Sequence, residues 1–282
     1  MSASLDVRPS AIAGLWYSRN PDVLMQEIDN FIQQAKNPDL KGEVVGIIAP
    51  HAGYRYSGRT AGYAYRSVLG RKVDLVVVIS PLHSYHPAAY LTSAHKAYAT
   101  PLGPVLIDGD SLIELDELLR RERENGLSVI ANDDEHSLEI QLPFIQRTLM
   151  GDFKLLPVMI RNQSPQIAEK LGKALGKMLI NRSALLVAST DLSHFYSETE
   201  ANRFDAEMLC RIKDFSPENV LLAEKSGAGF ACGVAAVASV LWAARDMGAT
   251  SVEVLHHSTS AAETGDESRV VGYGAAAILK TS

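Results

Sequence analysis

Eight histidines and two cysteines are spread through 282 residues, and several stand where a chain could gather metal ligands. His51 follows the apolar run EVVGIIAP (43–50) within PHAGYRYSG, between Pro50 and the glycines Gly53 and Gly58. At a strand tip such a histidine is a metal ligand or a base. Packed on Tyr54 or Tyr56, it is an ordinary half-buried loop residue. His83 and His86 follow DLVVVISP (74–81) in SPLHSYHP. One of the two is expected to point at a site, and His83 is favoured because it lies nearer the strand end. STDLSHFYS (189–197) adds Asp191 and His194. An aspartate at this spacing can orient an imidazole and fix its tautomer, or cap the next helix. Cys232, in GAGFACGVAAV (227–237), sits among small residues at a helix start. That position favours the thiolate, which binds metals, and the alternative is a buried core cysteine.

Together His51, His83 and Cys232 have the ligand types of a transition-metal site. Two imidazoles and one anionic ligand resemble the facial triad of non-haem Fe(II) oxygenases, where a carboxylate fills the third place. A thiolate there is softer and raises affinity for Cu(I) or Zn relative to Fe(II). DDEHSLEIQLP (133–143) places Glu135, His136 and Glu139 within about one turn. A solvated, charged helix face is expected for it, with Pro143 kinking or restarting the helix and a supporting role for His136 left open. His256 and His257 lie in a strand-like run, so at most one faces inward. His95 is expected at the surface, and Cys210 on the buried face of an apolar helix with no role.

Something must hold these residues together. Short β-branched runs alternate with amphipathic segments. Strands are expected at 43–50, 74–81, 153–160, 184–191, 251–258 and 269–279. Helices are expected at 57–69, 166–180, 199–213, 217–225 and 232–248, the last ending at Gly248. Strands alternating with helices imply an α/β fold: a single domain over 1–282, with a mainly parallel or mixed central sheet covered on both faces. Ligands in such sheets sit at the carboxyl ends of strands. AP-His51, SPL-His83 and STDLS-His194 would all reach that rim.

Composition narrows the partners. The net charge of −6 and the lack of basic clusters argue against nucleic acid or an anionic membrane. No run approaches the ~18 apolar residues of a membrane helix, and MSASLDVRPSAIAGLWY has no leader-like pattern. Two cysteines make no disulfide framework, which fits a reducing compartment. A cytoplasmic protein is expected.

At these residues the chain resembles the Memo family (mediator of cell motility), whose microbial members are called AmmeMemoRadiSam system protein B. The resemblance runs through AGLWY (13–17), APHAGY (49–54), SPLH (80–83), DEHSLEIQLPF (134–144), STDLSH (189–194), ACG (231–233) and the small-residue strand near 272–277. It implies a fold shared with class III extradiol ring-cleavage dioxygenases. By the same resemblance, His51, His83 and Cys232 fall on the metal ligands, and Asp191 and His194 on polar residues of the pocket. In those dioxygenases the third ligand is a glutamate and a pocket histidine is the acid–base group, the part that falls to His194. Cys232 departs from that pattern, which favours metal binding over ring cleavage of catechols.

Two functions follow as expectations. One is an Fe(II)-dependent oxidative enzyme with a small-molecule substrate, with Cu or Zn as alternative ions. The other is a non-catalytic iron- or copper-binding module that partners other proteins. A third, a hydrolase with Cys232 as nucleophile, His194 as base and Asp191 as orienter, leaves His51 and His83 without a role.

Overall fold

The computed structural model describes residues 5–121, 126–131 and 133–281. The first four residues of the N-terminal segment considered above lie outside these. The chain enters through β1 (Val7–Arg8) and α1 (Pro21–Gln34), then β2 (Glu43–Ala49), α2 (Tyr54–Arg66) and β3 (Leu75–Pro81). Short strands β4 (Tyr90–Ser93), β5 (Ala97–Tyr98) and β6 (Val105–Leu106) precede α3 (Gly109–Arg120) and β7 (Ser128–Ile130). A 3-10 turn at Glu139–Gln141 runs into α4 (Leu142–Thr148), followed by β8 (Lys154–Ile160), α5 (Pro165–Leu179) and β9 (Ala184–Ser189). Then come β10 (His194–Tyr196), α6 (Glu198–Lys213), α7 (Pro217–Ser226) and α8 (Val234–Asp246). The chain closes with β11 (Ser251–Thr259), α9 (Ala261–Thr264) and β12 (Val270–Lys280).

A nine-stranded sheet in the order β10-β12-β2-β9-β3-β8-β4-β7, with β11 also on β12, forms the centre. β2, β9, β3 and β8 are parallel, and antiparallel neighbours flank them. The sheet is therefore mixed, as expected. β3 shows why its residues read as a continuous apolar run. Leu75, Val77 and Ile79 pack with α3, α5 and α8, whereas Val76 and Val78 pack with α1, α2 and α4. A strand covered on both faces has no polar side to show. β1, β5 and β6 make a separate three-stranded sheet.

Register decides where the site falls. Ala49 on β2 pairs with Ser189 on β9, and Ile79 on β3 pairs with Ala188. The three neighbouring strands thus end nearly level, and the loops that follow leave from one rim.

The 133–143 segment is not the solvated helix face expected from its charges. Glu139 is fully buried and binds the N-terminal segment: Arg8 Nη1 donates to its Oε2 at 2.7 Å, and Ser10 and Tyr17 hydroxyls donate to its Oε1. Arg8, itself buried, also holds Asp133 at 2.7 Å. Pro143 sits in the first turn of α4, where a missing amide proton costs nothing. Cys210 also differs from expectation, being exposed on α6. No helix among the described residues is long and apolar enough to cross a membrane.

Removing one partner of a buried charge pair strands the other. Glu139→Ala is expected to destabilise the fold by about 3–5 kcal/mol in urea titration. Arg8→Met combined with Glu139→Leu should recover part of that loss. A loss under about 1 kcal/mol for the single variant would show that the pair is not structural.

Candidate metal centre

His51 leaves β2 after Pro50 and is 2% exposed. A chain of hydrogen bonds fixes its tautomer. Tyr65 donates its hydroxyl to Gln141 Oε1, and Gln141 Nε2 donates to Pro50 O and to Ser189 Oγ. The single Ser189 hydroxyl proton goes to the Ser137 carbonyl at 2.6 Å. Ser189 Oγ can therefore only accept from His51 Nδ1, 3.0 Å away. The proton sits on Nδ1, and Nε2 carries the free lone pair. Holding the second nitrogen in this way is how proteins prepare an imidazole ligand.

His83 is prepared by a carboxylate. Glu135 Oε2 accepts its amide at 2.6 Å and Glu135 Oε1 accepts its Nδ1 at 2.9 Å. The hydrogen bond that His83 donates to Glu135 raises the imidazole's pKa, against the effect of burial. Burial works against the Glu135 carboxylate, yet hydrogen bonds from His83 and the Ser137 amide outweigh it and hold the group well below the usual range. His136, next along the chain, stacks on His83 with ring centroids 4.7 Å apart and lies 4.2 Å from Trp16. Burial lowers its pKa and that of His51. One donor atom from each of His51, His83 and His136 lies within 4.8 Å of the others.

Cys232 sits two residues before α8, and its Sγ is 3.0 Å from His51 Nε2. The Asp191 amide donates to the same sulfur at 3.3 Å. With Nε2 unprotonated, that lone pair can accept the thiol proton, as can the Asp191 carbonyl at 3.6 Å. Helix-start placement is expected to favour the thiolate, but burial pushes the thiol up and the Asp191 carboxylate adds to it. A neighbouring cation is what would release the proton. Gly233 lets this turn form, since a Cβ there would lie 2.4 Å from the Ser189 carbonyl oxygen.

Asp191 does not orient His194. Its buried carboxylate accepts the His51 amide at 2.7 Å and the Ala52 amide, and burial pushes its pKa up to about 7 despite both. His194 is fixed instead by Leu192, whose carbonyl accepts Nδ1–H at 2.9 Å. Nε2 is thereby left free, and burial lowers the pKa of the ring. The Cys232–His194–Asp191 hydrolase relay therefore lacks its bonds, because the imidazole beside the sulfur is His51.

A cavity of about 800 Å³ opens over these groups, lined by His51, His83, His136, Asp191 and His194. The structure thus brings His51, His83, Asp191 and His194 to one cavity with Cys232 against His51, but among the described residues the donor group close enough to share an ion is His51, His83 and His136, and Cys232 is not part of it. His86 stays outside, with Nδ1 accepting the Ala88 amide. His256 bonds Thr60 while His257 bonds the buried Asp205, so the two leave β11 toward different partners. His95 is half-buried against Asp6 and not fully at the surface. The residues least evident from sequence are Ser189, Gln141 and Glu135, which hold the imidazoles. The adjacent Glu135–His136 pair was their one visible signal.

A mixed α/β sheet with imidazoles gathered at its carboxyl rim describes the class. Comparison gives the family: a family model described as "Memo-like protein" matches residues 8–277. The chain belongs to the Memo-like family. It is 31% identical over 273 residues to a MEMO1 family protein of Nitrosopumilus maritimus, covering 95% of this chain and 98% of that one. It is 32% identical over 267 residues to a MEMO1 family protein of Aquifex aeolicus, covering 95% and 97%. Among solved structures, an uncharacterized protein from Escherichia coli K12 aligns over 83% of this chain and 99% of its own, with a TM-score of 0.46 and 13% identity.

Two substitutions test the supports. Ser189→Ala removes the acceptor of His51 Nδ1, and Zn(II) affinity measured by chelator competition should fall ~10–100-fold. An unchanged affinity would show that the tautomer is set otherwise. Glu135→Gln acts through pH in the metal-free protein. Glu135 is lowered in the fold, so its stabilisation is present above its ordinary value of 4.5 and is lost as pH falls through the folded value. His83 is raised, so its stabilisation is present below 6.5 and is lost as pH rises through its folded value. The stability gap between wild type and Glu135→Gln should be widest between those two values. A gap that does not vary with pH would contradict the pairing.

Proposed function

We propose that this chain is a metal-dependent oxidative enzyme acting on a small molecule. His51, His83 and Cys232 would hold a divalent ion, Fe(II) first, with Cu or Zn as alternatives. The observation that carries this reading is the pair of imidazoles whose Nδ1 atoms are hydrogen-bonded away, with a thiol 3.0 Å from one free Nε2. Histidine and cysteine donors with their second nitrogens held suit a transition ion better than Mg or Ca. His136 is a neighbouring imidazole donor. When bound, the ion would supply Lewis acidity and, as Fe(II), redox chemistry with O₂.

The other groups have roles that their bonds support. His194, with Nδ1–H on Leu192 and Nε2 free, takes a proton from a substrate hydroxyl at Nε2 and returns it later. Its lowered pKa keeps it neutral, hence a base, near neutral pH. Asp191 holds the 51–52 turn through two amides, and this sets His51. The cytoplasm suits a site that depends on a free thiol.

A second reading keeps the metal without the reaction: an iron- or copper-binding module that partners other proteins. The softness of the Cys232 sulfur favours it.

Anaerobic loading with Fe(II), followed by O₂ uptake with a panel of catechols, separates the two. The enzyme reading expects uptake with at least one substrate. His194→Gln should slow it ~10²–10⁴-fold while leaving the iron content unchanged. Cys232→Ala should lose iron. No uptake with any substrate leaves the binding module, and full iron content in Cys232→Ala removes the thiolate from the ligand set.

A further inference from the structure

Two arginines on the cavity wall meet no carboxylate. Arg55 is the second residue of α2, and Arg269 immediately precedes β12. Both line the cavity that holds His51, His83 and His194. Among the described residues neither guanidinium has an ion-pair partner, whereas Arg8, Arg71 and Arg147 each meet one. The acidic groups on the same walls are engaged elsewhere. Asp266 Oδ1 accepts the Ser268 amide and hydroxyl, and Asp191 accepts two amides.

Their orientation is built in. Val271 and Tyr273 alternate along β12 and share a face, Arg269 lies in the bend just before that strand, and all three line the cavity. Val271 pairs with His194, which puts Arg269 close in sequence to the strand position opposite the proposed base. The Arg269 guanidinium lies over the Phe195 ring, 5.3 Å from its centroid, and Arg55 lies over Tyr56 at 5.7 Å. Phe195 holds φ at 66°, a left-handed backbone that residues other than glycine seldom adopt. A guanidinium laid on a ring keeps its N–H edge free for a planar anion.

We propose that the cavity selects a small aromatic substrate bearing an anionic group, a carboxylate or a phosphate, held by Arg269 and Arg55. This rests on the metal-dependent reading above for its reaction, though not for its binding. The aromatic faces of Trp16, Tyr56 and Tyr273 on the same walls suit the ring. The cavity's volume fits a molecule of that size and not a folded partner.

The test uses metal-free protein, so that failure to load iron counts against the metal reading alone. Benzoate, phenyl phosphate and benzamide are titrated by ligand-observed NMR into wild type, the Arg55→Gln/Arg269→Gln double variant, and Arg269→Lys. The expected result is that one or both anions bind at least about tenfold more tightly than benzamide. That preference should disappear in the double variant and survive in part in Arg269→Lys. Which anion binds better identifies the carboxylate or phosphate source. Equal binding of benzamide, no binding of either anion, or a preference that persists in the double variant overturns the proposal. Both side chains are exposed, so the variants should retain the wild-type thermal transition.

Discussion

Everything at this site depends on three parallel strands, β2, β9 and β3, ending at the same level. Their register is fixed by side chains that must be apolar on both faces. A slip of one residue would exchange the two faces of each strand. Because Ala49 sits opposite Ser189 and Ile79 opposite Ala188, residues 51, 83 and 191 emerge together. The rim is a consequence of core packing before it is a consequence of ligand chemistry.

What the strands deliver, the polar network then orients. Ser189 is the last residue of β9, and its hydroxyl links Gln141, Ser137 and His51. Gln141 is itself held by Tyr65 from α2. On the other side, Glu135 grips His83 through both backbone and ring. The Glu135 loop is tied in turn to Arg8, whose Nη2 donates to the Glu135 and Asp133 carbonyls. The buried Arg8–Glu139 pair thus brings the N-terminal segment, with Trp16, against His136. A buried ion pair is weak support for stability in general. Here its charges fix the position of two neighbouring segments.

The central strands and α2, α5, α6, α7 and α8 were legible because burial on both faces leaves a period-free apolar run and amphipathic helices leave a 3.6-residue stripe, whereas α1 and α3 carry such a stripe and were not read. The strand tips were legible for the same reason, since a histidine directly after such a run has one place to go. Short strands β4 to β7 were not, because two to four residues carry no period. The 133–143 segment misled because charge usually means solvent. Glu139 is buried because partners more than a hundred residues away satisfy it, and Glu135 because His83 joins the local Ser137 amide in doing so. Asp191 misled through proximity: His194 is three residues on, yet the chain turns so that the amides of 51 and 52 are nearer. Cys210 misled because an apolar stripe does not say which of its members lies at the edge.

X-ray absorption at the metal edge of the Zn(II)-loaded protein examines the ligand set without reference to any reaction. The account predicts imidazole nitrogens at about 2.0–2.1 Å together with one sulfur at about 2.3 Å. A first shell of nitrogen and oxygen alone, with no sulfur in it, would contradict the claim that His51, His83 and Cys232 share an ion.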